Sequence, residues 1–301
     1  MDKINTIHDK FIRAILTDKN IAESYFNSYL PAFVSSHLDF STLTQLPDTY
    51  LSKKLQKTMS DIVYSCQKKG IEKEIKICLL IEHKSYPDKY TPVQIGGYIY
   101  SALQKQADNK EDLSLVIPIL LYHGRGRWKY QTLQSLYKNL EVEWKQFIPD
   151  FDYVYNNLGE ISDESVEALN NKFLVASLLT LKHSFQKDWL GNNAHRILLL
   201  TEQASINLQE ILIIYLFNNS KLEEDKIVKL LDSLSLKLKD KVMSTLDIFE
   251  RKGRLEGAKQ TRAEIVRNLI TVSVLTDEQI ASVAGVTTDF VAKIRVDITA
   301  K

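Results

Sequence analysis

Two strand-like runs separated by a four-residue turn constrain this chain more than anything else in it. From Met59 the text alternates, with Ile62, Tyr64 and Cys66 on one side and Asp61, Val63 and Ser65 on the other. Gln67-Lys68-Lys69-Gly70 supplies the turn, and the return arm Ile75 to Ile81 is apolar apart from Lys76. Period-two alternation followed by a continuous apolar run predicts a hairpin whose second strand is covered on both faces.

The surrounding text places this hairpin in a mixed fold. Val93 to Gln106 carries Ile95, Ile99, Ala102 and Leu103 at helical spacing, and Leu115 to Tyr122 is a further apolar strand. Strand, strand, helix, strand predicts an α/β core with a mixed sheet flanked by helices. Before it, His8 to Leu30 reads as helical, with Asp18 placed to cap a second helix and Pro31 where the pattern stops. After Gly126, long apolar-striped helices are expected over Tyr130 to Phe147, Ser165 to Phe185, Ala194 to Phe217 and Asp225 to about Phe249.

Glu250 to Gly257 is charged and glycine-punctuated, as in a solvated helix or a linker. Beyond it, Thr276-Asp277-Glu278-Gln279 is close to a capping box, Ile280 and Val283 are expected to supply apolar contacts, and Thr287 to cap a second helix carrying Phe290, Val291 and Ile294. That is helix-turn-helix spacing, with Gly285 free to take a left-handed turn. The expected organisation is a core over residues 1–130, a helical extension over 131–249, and a linker helix with a small helical tail over 250–301.

Composition excludes several classes. At 301 residues, 44% hydrophobic and 26% charged, the chain is long enough for one sizeable core and an appendage. A formal charge of +1 announces no polyanion partner globally, so any nucleic-acid surface is a local patch. Cys66 and Cys78 lie in strand-like text and not at zinc or disulfide spacing, which predicts reduced core thiols. The start lacks a basic-then-apolar leader and no run is long enough to span a bilayer, so a cytoplasmic protein with no membrane partner is expected.

The chemistry is concentrated at one end of the hairpin. In an antiparallel pair the start of the first strand lies beside the end of the second, so Asp61 and Glu82 are expected to share a hard divalent cation, with Lys84 on the face of Glu82. The main-chain carbonyl of His83 is a further candidate metal oxygen. Phosphodiester hydrolysis needs an activated water and charge stabilisation at phosphorus, and a carboxylate-held cation supplies both. Lys84 would orient the nucleophile or neutralise developing charge.

An acid-x-lysine triplet alone says little, since Glu74-Ile75-Lys76, Asp108-Asn109-Lys110, Glu143-Trp144-Lys145, Glu224-Asp225-Lys226 and Glu250-Arg251-Lys252 also match. Glu82 is singled out because it ends an apolar strand, follows the strand opened by Asp61, and precedes a helix with Gln94 and Tyr98. The competing reading is a solvent-exposed ion pair between Glu82 and Lys84. For Tyr98 it is a place in the core. Asp9 on the first helix is weighed as a metal contact against a capping or His8-pairing role, and His123 as a phosphate contact against a hydrogen-bonded turn, and both are left out of the site.

These residues resemble the PD-(D/E)xK nuclease superfamily, and within it the Rpn family of recombination-promoting nucleases and YhgA-like transposases. The resemblance rests on His8-Asp9-Lys10-Phe11 with Arg13, Tyr29-Leu30-Pro31, Leu38-Asp39 with Leu43, Ser60 to Tyr64, Leu80 to Ser85, and Val116 to Gly124. It implies a restriction-endonuclease-like core, Mg²⁺ dependence and DNA as substrate. Asp61, Glu82 and Lys84 match the acid, acid and lysine positions, while Gln94 and Tyr98 resemble the Gln-x-x-x-Tyr helix of recombination-associated members. Ser60 replaces the proline of the superfamily's name, and many Rpn-like chains carry glutamine where Lys84 stands.

Three functions follow as expectations. The first is an Mg²⁺-dependent DNA endonuclease whose tail aids DNA binding or homo-oligomer formation. The second is a non-catalytic DNA-binding or assembly protein on a nuclease fold, and the third a strand-transferring transposase. Lys53, Lys54, Lys57, Lys68, Lys69, Arg125, Arg127 and Lys129 are candidate phosphate contacts, and Thr288, Asp289 and Lys293 candidate DNA-reading positions in the tail.

Overall fold

The structure is a computed structural model that describes residues 3–47, 62–70, 76–272 and 275–299. Five strands form one sheet in chain order: β1 (Leu38–Gln45), β2 (Ile62–Lys68), β3 (Lys76–Lys84), β4 (Leu115–Tyr122) and β5 (Val154–Asn157). The predicted hairpin is present, with β2 antiparallel to β3 and Ile62 paired with Ile81, Tyr64 with Leu79 and Cys66 with Ile77. Gly70 takes φ +79° in the turn, the left-handed region that a glycine enters without steric cost.

β3, β4 and β5 run parallel. Parallel neighbours require a crossover, and α4 (Thr91–Asp108) provides it between β3 and β4. α4 covers one face of the sheet: Tyr98 and Ala102 pack with Val63 and Val116, and Ile95 with Leu120 and Tyr122. The other face receives α1 (Lys3–Leu16) and α2 (Lys19–Tyr29), where the Tyr64 hydroxyl donates to Leu16 O at 2.8 Å and its ring meets Phe26 edge-on. Asp18 caps α2 as expected, accepting from Asn20 N at 3.0 Å and Ile21 N at 3.2 Å. A one-turn α3 (Ala32–Ser35) leads into β1.

The second half departs from the long helices expected of it. Tyr130 to Phe147 forms only two 3₁₀ segments, Gln134–Leu136 and Val142–Phe147. Its apolar stripe finds no core, for Val142, Trp144 and Phe147 are 76%, 58% and 74% exposed. Strand β5 also lies in this half and completes the sheet. The remaining stripes are interrupted into α5 (Asp163–Glu167), α6 (Lys172–Lys182), α7 (Lys187–Leu199), α8 (Ile206–Asn219) and α9 (Glu224–Asp232). New N-caps make the breaks: Asn171 accepts from Leu174 N at 3.0 Å, and Ser205 from Leu208 N at 3.5 Å. α6 is buried from Phe173 to Leu181, and α8 packs on α1 with Phe11 and Tyr215 stacked at 3.8 Å.

The chain divides into two compact units, Met1–Lys239 and Asp240–Lys301. The division falls within α10 (Leu236–Val272), so the charged stretch after Glu250 is helical. In the second unit α11 (Asp277–Ala284) and α12 (Thr288–Thr299) pack on α10 through Val266, Ile280, Ala281, Ala284, Val291 and Ile294. The predicted capping box is complete, with Gln279 N donating to Thr276 Oγ1 and Thr276 N to Gln279 Oε1, and Gly285 turns at φ +61°. Val283 was expected to supply apolar contacts, but it is 67% exposed because Ile280 and Ala284 hold the buried side of α11.

Candidate active site

Glu82 and Lys84 stand two residues apart at the end of β3 and therefore project from one face, that of α4. Both are buried, at 2% and 8% exposed, so the alternative of a solvated strand-end pair does not describe them. The Lys84 ammonium lies 3.4 Å from Glu82 Oε1 and donates to Gln94 Oε1 at 2.9 Å. Gln94 comes from the first turn of α4, which the Pro92 ring helps to start. Its Nε2 donates to Asp88 Oδ2 at 3.1 Å, and that oxygen lies 3.7 Å from Lys84 Nζ.

Asp88 escaped the sequence reading. It sits in the loop between β3 and α4, where Oδ1 accepts from Tyr90 N at 2.9 Å and its carbonyl from Thr91 N at 3.1 Å. Four residues separate it from Lys84, a weak cue in a loop that becomes informative only when the loop folds back over the strand end.

Tyr98, one turn beyond Gln94, is fully buried against Val63, Ala102 and Val116. It supports α4 on the sheet from within the core. Asp61 lies outside the described residues, as do Lys53, Lys54 and Lys57. Among the described residues no group of three or more His, Cys, Asp or Glu side chains is disposed to hold a metal ion. Around the Lys84 ammonium, however, stand two carboxylates, Glu82 and Asp88. Carboxylate oxygens are the donors that a hard divalent cation prefers.

His83 projects to the opposite face, so only its main chain stands on the side of Glu82. Its Nδ1 lies 2.9 Å from Asp9 Oδ1 on α1, and its Nε2 lies 2.8 Å from His123 Nδ1 after β4. Asp9 thus pairs with His83 and not with His8. His123 stacks between His83 and Phe185, and His8 meets it edge-on while contacting the Tyr215 hydroxyl through Nδ1 at 2.5 Å. Burial, with His83 nearby, lowers the His8 pKa to about 4. Burial together with His83 and His8 pushes His123 well below the ordinary histidine range. Both are neutral at pH 7, which makes this cluster a packed layer behind the strand.

The turn after His123 is fitted to the strand end. A Cβ on Gly124 would lie 2.2 Å from Ser85 O, so only glycine passes there. Arg125 is tied down by donation to Phe185 O at 2.6 Å, while Arg127 and Lys129 are exposed.

The described site is thus a buried Glu-x-Lys at the end of a central strand of an α/β sheet, joined to glutamine on the crossover helix. The profile of the family described as "Putative transposase, YhgA-like" matches residues 6–210, and the chain belongs to that family. Two of the relatives it matches are named as nucleases. The chain is 28% identical over 122 residues to Recombination-promoting nuclease RpnC of Escherichia coli K12, covering 40% of each chain. It is 28% identical over 122 residues to Recombination-promoting nuclease RpnD of Escherichia coli O157:H7, covering 40% of this chain and 46% of that one. A third relative, 26% identical over 118 residues and covering 39% of each chain, is the Inactive recombination-promoting nuclease-like protein RpnE of Escherichia coli K12. The matches thus span less than half the length of these relatives. No solved structure matches the chain.

Proposed function

We propose that the protein is an Mg²⁺-dependent DNA endonuclease on a PD-(D/E)xK core, acting in recombination or on mobile elements. The observation that carries this reading is the convergence of Glu82, Lys84 and Gln94, drawn from a strand end and a separate helix, on one buried point beside the sheet. Two relatives named as recombination-promoting nucleases support it.

Glu82 is proposed to hold the cation together with Asp61 and the His83 carbonyl. Asp61 is chosen because it precedes Ile62 in the chain, and Ile62 pairs with Ile81, the neighbour of Glu82. When bound, Mg²⁺ would supply a water of lowered pKa and charge neutralisation at phosphorus. Lys84, held by Gln94, presents a fixed positive charge to the phosphoryl oxygens or the attacking water. Tyr98 acts from the core by setting the position of α4.

Arg127 and Lys129, exposed beyond the turn that packs on Ser85, are proposed phosphate contacts. In the second unit, exposed Thr288, Asp289 and Lys293 are proposed to meet DNA. Self-association of the same helices is the alternative proposed for this tail. No helix among the described residues is long and apolar enough to cross a membrane.

Incubating plasmid DNA and Mg²⁺ with the parent chain, Asp61→Ala or Glu82→Ala tests the reading. Cleavage by the parent and loss in both variants is expected, and equal cutting by all three would place the site elsewhere. The second reading, a non-catalytic DNA-binding or assembly protein, is favoured by the relative named inactive. It gains if nothing cuts, the full chain binds duplex, and truncation after Glu250 abolishes that binding.

A further inference from the structure

Three oxygens surround the Lys84 ammonium: Gln94 Oε1 at 2.9 Å, Glu82 Oε1 at 3.4 Å and Asp88 Oδ2 at 3.7 Å. Asp88 is anchored in its loop, because its other oxygen accepts from Tyr90 N and its main-chain carbonyl accepts from Thr91 N. Swinging away would break its bonds to Tyr90 N and Gln94 Nε2. A carboxylate only accepts, so Gln94 must turn Nε2 toward Asp88 and thereby Oε1 toward Lys84. Asp88 thus sets the orientation of the amide that holds the lysine.

An ammonium 3.4 Å from the carboxylate that is to hold a dication is a competitor for it. At that range two cations on one carboxylate repel each other strongly where water is scarce, and the Lys84 and Asp88 side chains are only 9% and 21% exposed. Resting on the proposed metal role of Glu82, we propose that Asp88 is a positioning residue. It is the standing counter-ion that keeps Lys84 in place when the oxygens of Glu82 are committed to a divalent cation. Through Lys84 it sets the cation affinity of the site, a role that neither the acid-x-lysine pattern nor the glutamine helix assigns to it.

The test is Mg²⁺ binding by calorimetry on the full chain, in the parent, Asp88→Asn, Lys84→Met and the double variant. Asparagine keeps an oxygen for Tyr90 N but loses the charge, and equal melting temperatures of parent and Asp88→Asn confirm an intact α4. The expected result is a roughly three- to tenfold weaker Mg²⁺ affinity in Asp88→Asn, and no further weakening when the same change is made beside Lys84→Met. Asp88→Glu is expected to recover part of the loss.

Equal affinity of parent and Asp88→Asn would overturn the inference. So would an equal loss in the Lys84→Met background, since Asp88 would then act by its own charge and not through the lysine. A parent that binds no Mg²⁺ overturns the metal reading and the inference with it, whereas binding unaffected by Asp88 overturns the inference alone.

Discussion

The Lys84 ammonium donates to the Gln94 side-chain oxygen at 2.9 Å, joining the last residue of β3 to the first turn of the crossover helix. Strand end and helix are bound at the point where the chemistry is proposed, so changes there should separate activity from stability.

Gln94→Ala removes the amide but no charge. The expected outcome is a roughly tenfold or greater drop in Mg²⁺-dependent DNA cleavage, with the urea midpoint nearly unchanged because Gln94 is only half-buried. Steady-state cleavage assays alongside urea melts check this.

Lys84→Ala removes the ammonium that lies 3.4 Å from Glu82 Oε1, and Glu82 is 2% exposed. Removing one partner of a buried pair costs about 3 to 5 kcal/mol, whereas Glu82→Gln combined with Lys84→Met should cost less than the two singles added. Urea unfolding of the parent, Lys84→Ala, Glu82→Gln, Lys84→Met and the double variant without added metal measures the difference.

Tyr98 separates a core role from a chemical one. Tyr98→Ala empties a fully buried site among Val63, Ala102 and Val116 and should cost about 3 to 5 kcal/mol. Tyr98→Phe keeps the ring, and its cleavage rate is expected within about threefold of the parent after correction for folded fraction.

The hairpin and β4 were legible in the sequence because internal strands are nearly continuous apolar runs. Sequence reading missed β5, where two of four residues are Asn156 and Asn157, and β1, whose pairing with β2 is shifted between Asp39 and Thr44. Local pattern also overstated the helices of the second half: an apolar stripe such as Val142 to Phe147 becomes a helix only with a surface to bury against. Within the site, Glu82, Lys84 and Gln94 were legible because each sits at the boundary of an element. Asp88 and the layer of His8, His83 and His123 were not, since their meeting depends on a loop closure and on three elements packed together from distant parts of the chain.

That histidine layer makes stability depend on pH. His8 titrates near 4 in the folded chain against an ordinary value of 6.5, so between these limits the unfolded chain binds more protons. Its contribution is complete above about pH 6.5 and is lost as pH falls toward 4, and His123, lowered in the same direction, adds to the loss. Urea midpoints at pH 7 and pH 5 should show the fall, and His8→Phe should flatten it.

The most direct measurement is a crystal structure of the full chain soaked with Ca²⁺, a non-reacting stand-in for Mg²⁺. One ion is predicted against a Glu82 carboxylate oxygen and an Asp61 carboxylate oxygen, each at about 2.3 to 2.6 Å. Lys84 should remain bonded to Gln94. An ion bound away from Glu82, or a Glu82 still paired to Lys84 at saturating Ca²⁺ in a protein that cuts DNA, would contradict the account.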